Sequence, residues 1–275
     1  MGLLFGAIAA ILLGGSDLNA ARAGRFASSF TVVRTALLTA GLVTPILLLI
    51  LPGRFIAGQV AIAAFSGIIM AAALALLYQG YRVAPIGIVA PTSSVLLAML
   101  PVIYDISRGT KLHSVVVVGM AIGISALALT SYIPGGKGSA KMGFLYGALS
   151  GVLFGVTFIL LSRVKDIGIT AVVAQRWGAF GTLSLVLPFD KGPLLAWKTP
   201  AKWNAIFCGL FAGGAMSSLQ IGFQKASAGL VSVASSQFAT VTVLLAVVFN
   251  KERLRWWQAI GVTMTAVAVI LMAQG

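Results

Sequence analysis

Asp17 is the acidic residue that falls inside a long apolar stretch, whereas Asp105, Asp166, Asp190 and Glu252 stand at or near the ends of such stretches. A carboxylate inside a bilayer costs about 2.5–3.5 kcal/mol on insertion scales, so it faces a cavity or a partner. Such a residue can take up and release a proton, or serve as counter-ion to a cationic group on a ligand. It can equally pair with Arg22 near the interface or cap a broken helix. Arg34 and Arg176 are the basic residues well inside apolar stretches. They either pair with carboxylates, helix-end carbonyls and lipid headgroups, or form a site for a carboxylate on a ligand.

Further polar groups fall at matching depths. Tyr78, Gln79 and Tyr81 end one stretch and Gln220 lies late in another, while Ser93-Ser94 and Ser235-Ser236-Gln237 lie early in two more. Ser94, Gln220 and Gln237 can therefore offer hydroxyl and amide groups to a shared space, or bond neighbouring helices. Pro91 frees a backbone carbonyl. Trp177 can stack on a ring or a quaternary amine, or sit in an interfacial belt.

Nothing here assembles into an enzyme. His113 is the lone histidine and Cys208 the lone cysteine, and no glycine-rich loop ends in Lys-Ser or Lys-Thr. Metal sites, nucleophile–base pairs and ATP-driven pumping all need more. No cofactor and no metal are expected.

The elements that must position these groups are membrane helices. Of 275 residues 59% are hydrophobic and 9% charged, and the mean hydropathy is +1.05. A soluble domain carries about 25% charged residues to face water, so this surface faces lipid. Ten stretches approach the roughly 20 apolar residues needed to span the hydrocarbon core. They run over about 2–20, 30–51, 57–79, 85–104, 114–133, 143–162, 170–188, 202–223, 229–249 and 256–273. Helix-end residues punctuate them, as at Pro52-Gly53-Arg54, Pro134-Gly135-Gly136-Lys137, Asp190-Lys191-Gly192-Pro193 and Asn250-Lys251-Glu252-Arg253. Such short connectors make neighbours antiparallel. The first basic residue is Arg22, so the first stretch reads as a permanent span. The net charge of +14 sits at helix ends, where Lys and Arg snorkel, and does not point to nucleic acid.

The chain also repeats. At a shift of 141, the thirteen residues from Gly2 to Gly14 fall on Gly143 to Gly155 with six identities. At a shift of 142, residues 80–129 fall on 222–271 with ten identities, among them Gly87/Gly229, Ser93/Ser235 and Ser94/Ser236; Arg34 falls on Arg176. The predicted fold is an all-α integral membrane protein of two five-helix units, 1–134 and 143–275. Five is odd, so the second unit enters the membrane inverted, and a central cavity is expected at the interface between units. Gly2, Gly6, Ala10 and Gly14, and Gly143, Gly147, Gly151 and Gly155, form small-residue faces for close helix packing.

This organisation resembles the ten-helix EamA-type transporters of the drug/metabolite transporter superfamily. The likeness rests on Leu12-Leu13-Gly14-Gly15-Ser16, Arg22 and Arg34 in the first unit. In the second it rests on Arg176-Trp177, the run from Ala226 to Ser236, and Phe249-Asn250-Lys251-Glu252-Arg253-Leu254 followed by Gln258 and Gly261. Gly14 stands where the family often has Trp, and Asp17 where it has a neutral residue.

The resemblance implies a multi-pass protein of the cell (inner) membrane, lying in the lipid bilayer and moving a small-molecule substrate. Two fused units can enclose a cavity as a monomer, and Asp17 suggests protons as a coupling partner. Export of amino acids or related metabolites is the expected activity. Uptake of a cationic or zwitterionic, choline-like amine is the alternative that Asp17, Tyr78, Tyr81 and Trp177 suggest, and a passive facilitator is another. Eleven Lys and Arg residues follow odd-numbered stretches and six follow even-numbered ones. That bias places both termini outside the cytoplasm, whereas the superfamily is described with both inside.

Overall fold

The computed structural model describes residues 1–109, 114–131, 139–185, 192–250, 255–272 and 274. The connector 134–137, residues 251–254, and Thr110, Lys111, Leu112, His113, Asp190 and Lys191 lie outside the described residues. The described chain is helical. Its helices are α1 (Gly2–Ala23), α2 (Ser29–Val43), α3 (Ala57–Val83), α4 (Ile86–Ser107), α5 (Ser114–Ser131), α6 (Ser139–Ser162), α7 (Thr170–Leu185), α8 (Lys202–Lys225), α9 (Ala228–Ser236), α10 (Phe238–Asn250) and α11 (Trp256–Met272).

Seven helical stretches among the described residues are long and apolar enough to cross a membrane: Gly2–Ala23, Ser29–Leu49, Ala57–Val83, Ile86–Ser107, Ala140–Ser162, Lys202–Lys225 and Ala228–Phe249. The protein is a multi-pass membrane protein. Helices α5, α7 and α11, of 18, 16 and 17 residues, fall outside that set of seven. Large apolar side chains such as Leu4, Ile11, Phe65, Leu244, Val248 and Ile270 cover the outside, where lipid replaces water as the solvent. Several interior hydroxyls return to their own helices. Thr35, Thr92, Ser217 and Thr242 each donate to the carbonyl four residues earlier, which satisfies them without water.

Two stretches are less regular than their apolarity suggests. The second tightens into a 3₁₀ turn over Thr44–Leu49, because Pro45 offers no amide proton and disrupts the α-helical ladder. The ninth is broken at Gln237 into α9 and α10. Ser235 and Ser236 donate to the carbonyls of Ser232 and Val233 just before the break, and such local bonds compete with the helical ladder. Pro91, by contrast, leaves α4 continuous.

The two ends of the chain interleave. Helix α1 packs along α8 and also on α9 and α10, while α6 packs along α3 and on α4. Helix α2 lies on α8 as α7 lies on α3, and α5 pairs with α11. The glycine faces sit in these contacts. A Cβ at Gly2 would stand 2.3 Å from the Cβ of Ala226, and one at Gly143 would stand 2.4 Å from the Cβ of Ala84. Gly6 approaches the Val231 carbonyl and Gly147 the Val89 carbonyl. Each pair matches the other at the 141- and 142-residue shifts.

Candidate functional site

Helical spacing places two rows of side chains opposite each other. Leu13, Ser16 and Asp17 share one face of α1, and Met70, Leu74, Leu77 and Tyr78 share one face of α3. Both rows line one cavity. It is completed by Leu97 from α4, Phe154 and Phe158 from α6, Arg176 from α7, Ala212 and Met216 from α8, and Phe238 at the start of α10. The cavity volume is about 40 Å³. A water molecule needs about 10–15 Å³ on that measure, so the space holds a few waters.

Asp17 is buried and accepts a hydrogen bond from the Tyr81 hydroxyl at 2.7 Å. The Tyr81 ring stacks on Tyr78 with centroids 6.1 Å apart and an interplanar angle of 21°. The Tyr78 hydroxyl meets the Cys208 sulfur at 3.1 Å, and the Ser16 hydroxyl donates to the Cys208 carbonyl at 3.1 Å. These contacts join α1, α3 and α8 through one polar strand beside an otherwise apolar space. Arg22 does not pair with Asp17. It turns to the end of α10, donating to the Phe249 carbonyl at 3.3 Å with its guanidinium 5.4 Å from that ring's centroid.

Arg34 and Arg176 are both buried, at 0% and 2% exposure, but their surroundings differ. Arg34 donates from Nε to the Leu194 carbonyl at 3.1 Å, and its terminal nitrogens reach the carbonyls of Leu183 and Pro193. It ties α2 to the segment before α8. Thr31 adds a 2.7 Å bond to Pro193, and Thr35 accepts from the Ala196 amide. Arg176 faces the cavity. It donates to the Ala212 carbonyl at 2.9 Å and lies 3.8 Å from the Met70 sulfur, while its Nε has no hydrogen-bond partner.

The structure therefore brings together Asp17, Tyr78, Tyr81 and Arg176 from the residues expected to touch a ligand, with Asp17, Tyr78 and Arg176 on the cavity wall. The others lie elsewhere. Gln79 accepts from Ser29 at 2.9 Å and from Arg82 at 3.3 Å. Ser94 bonds back to the Pro91 carbonyl. Gln220 donates to the Val164 carbonyl at 2.5 Å, and its Oε1 is unpartnered. Gln237, at the break, reaches the Ala266 carbonyl at 3.4 Å. Trp177 is 42% exposed, with its ring edge-on to Phe180 and against Gly41.

Ser16 and Met70 join the cavity without having been singled out as ligand-facing. The spacing was present: Ser16 adjoins Asp17, and Met70 lies two turns before Tyr78.

Among the described residues no group of three or more His, Cys, Asp or Glu could hold a metal ion. The arrangement offers a carboxyl and a guanidinium in one small, mostly apolar space, each held by a neutral neighbour.

A crystal structure of another protein superposes on 98% of this chain and 95% of its own at a TM-score of 0.70, with 21% sequence identity, which fixes a shared fold. No curated protein matches the chain. Residues 141–274 match the model of the EamA-like transporter family, a family of membrane transporters within the drug/metabolite transporter superfamily.

Proposed function

We propose that the protein is a secondary transporter that exports amino acids or related small metabolites across the cell (inner) membrane by alternating access. The carrying observation is the cavity itself, in which buried Asp17 and buried Arg176 line one space among apolar helices. Ionisable groups at membrane depth are expensive and mark transport pathways. The cavity holds only a few waters, so a metabolite enters after the helices part. That favours a carrier over a standing pore.

Ten spans in two inverted five-helix units, 1–134 and 143–275, give this carrier its two conformations. The reciprocal packing of α1 on α8 and of α6 on α3 supports that reading, as does the constant sequence shift. Opposed units with a site between them near the midplane are a recurrent transporter plan. Two fused units enclose the cavity in a monomer. Asp17 is the coupling site, where a proton and a substrate amine compete. The stacked Tyr78 and Tyr81 beside Asp17 give a second reading some support, uptake of a choline-like amine.

The test uses purified protein in liposomes, with labelled amino acids and labelled choline, with and without a pH gradient. Saturable flux that responds to the gradient, shows counterflow, and loses the gradient response in Asp17→Asn is expected. Flux of choline alone would favour the amine reading. Flux that never saturates and shows no counterflow would replace the carrier by a channel.

A further inference from the structure

Arg34 and Arg176 occupy matching positions in the sequence repeat, and only one of them is saturated. All three nitrogens of Arg34 reach backbone carbonyls. Arg176 has one carbonyl, that of Ala212, and a thioether. Its Nε is left without an acceptor although the residue is 2% exposed. A buried guanidinium with a donor unmet is costly, and such exceptions call for a physical reason. Architecture supplies none here, since one carbonyl does not use the fork.

The nearby carboxylate does not meet the need either. Asp17 lines the same cavity but takes its hydrogen bond from Tyr81, and no ion pair joins it to Arg176. The cavity thus keeps a negative and a positive group apart. Ser16 and Tyr78 line the cavity with them, together with apolar Met70 and Phe158. A molecule that carries an ammonium and a carboxylate close together satisfies both charges at once. A plain amine leaves Arg176 unmet, and a plain carboxylate leaves Asp17 unmet.

We propose that Arg176 is the residue that recognises the substrate carboxylate, so that the site takes a zwitterionic neutral amino acid with its ammonium toward Asp17 and its apolar side chain along α3 and α6. This rests on the transporter reading above and deepens it by selecting the amino acid over the amine. A planar fork accepts a carboxylate by two parallel bonds, whereas lysine offers a point charge.

Two readouts separate this proposal from the transporter reading. The first is thermal stabilisation of the purified protein by leucine, methionine and phenylalanine, each compared with its amide, in which the carboxylate is neutralised. The second is flux of the same labelled amino acids into liposomes. Wild type is expected to bind the acids roughly 10- to 100-fold more tightly than the amides, as loss of a charged hydrogen bond predicts. Arg176→Gln is expected to erase that preference while still binding the amides, and Arg176→Lys to retain part of it.

Equal stabilisation by acid and amide in wild type would overturn the proposal, as would an undiminished preference in Arg176→Gln or no stabilisation by any of the three acids. If Arg176→Gln does not fold, the wild-type ligand comparison and Arg176→Lys decide. Binding with the stated preference but without flux would leave Arg176's role standing and remove the transporter reading.

Discussion

Tyr81 donates its hydroxyl to Asp17 at 2.7 Å, across the cavity edge between α3 and α1. Removing that donor leaves the carboxylate buried and available to a competing ammonium or proton. Tyr81→Phe is expected to keep transport but to change apparent substrate affinity by about 5- to 10-fold, in line with roughly 1 kcal/mol for one hydrogen bond. Half-saturation concentrations in liposomes read this directly. An unchanged value at every pH would disconnect the Tyr81–Asp17 pair from the transport cycle.

Arg34 offers the contrasting case. Arg34→Gln leaves the carbonyls of Leu183, Pro193 and Leu194 without their shared donor. The expected result is a loss of about 2–4 kcal/mol of stability, from several charged hydrogen bonds broken in a buried place. The ratio of amino-acid to amide binding should stay as in wild type. Thermal unfolding in detergent and ligand titration together check both halves of this expectation.

Close helix contacts make a third prediction. A Cβ at Gly147 would stand 2.8 Å from the Val89 carbonyl oxygen and 2.9 Å from the Cβ of Thr92, whereas one at Gly58 would meet nothing within 4 Å. Gly147→Val is expected to cost about 1–3 kcal/mol or more by overpacking. Gly58→Ala should stay within about 0.5 kcal/mol of wild type. Equal unfolding temperatures for the two variants would contradict the packing of α6 on α4.

Trp177 and Gln79 lie off the cavity wall, so their loss should be quiet. Trp177→Phe and Gln79→Ala are expected to keep half-saturation within about twofold of wild type, the scale of ordinary surface changes. A tenfold rise for either would mean that the cavity enlarges toward that residue during transport.

Much of the frame was legible from hydropathy. The third stretch, expected over 57–79, is the helix Ala57–Val83, and the eighth, expected over 202–223, is Lys202–Lys225. Apolar runs and their punctuation carry that information locally. The candidate site was legible only in part. Asp17 stood out because a lone carboxylate in an apolar run has few explanations. Arg34 and Arg176 could not be told apart, since each is an arginine early in a membrane helix at the same repeat position. What separates them is the neighbour at that depth: the connector carbonyls of Pro193 and Leu194 in one case, an open cavity in the other. The break at Gln237 was hidden for a related reason. The run from Ala228 to Phe249 keeps the apolarity of an unbroken span, and its serines compete with the ladder without changing the hydropathy.

The pairing of α1 with α8 sets the order in which the molecule is completed during synthesis. The first helix emerges early, yet its long partner begins only at Lys202. At about 5–20 residues per second, the ribosome needs roughly 10–35 s to make the chain between them. For that interval Ser16 and Asp17 sit in a span whose Cys208 contacts do not yet exist, and they must be sheltered by earlier helices or by the insertion machinery. Biogenesis, and not only transport, is therefore exposed to the polarity that α1 carries into the bilayer.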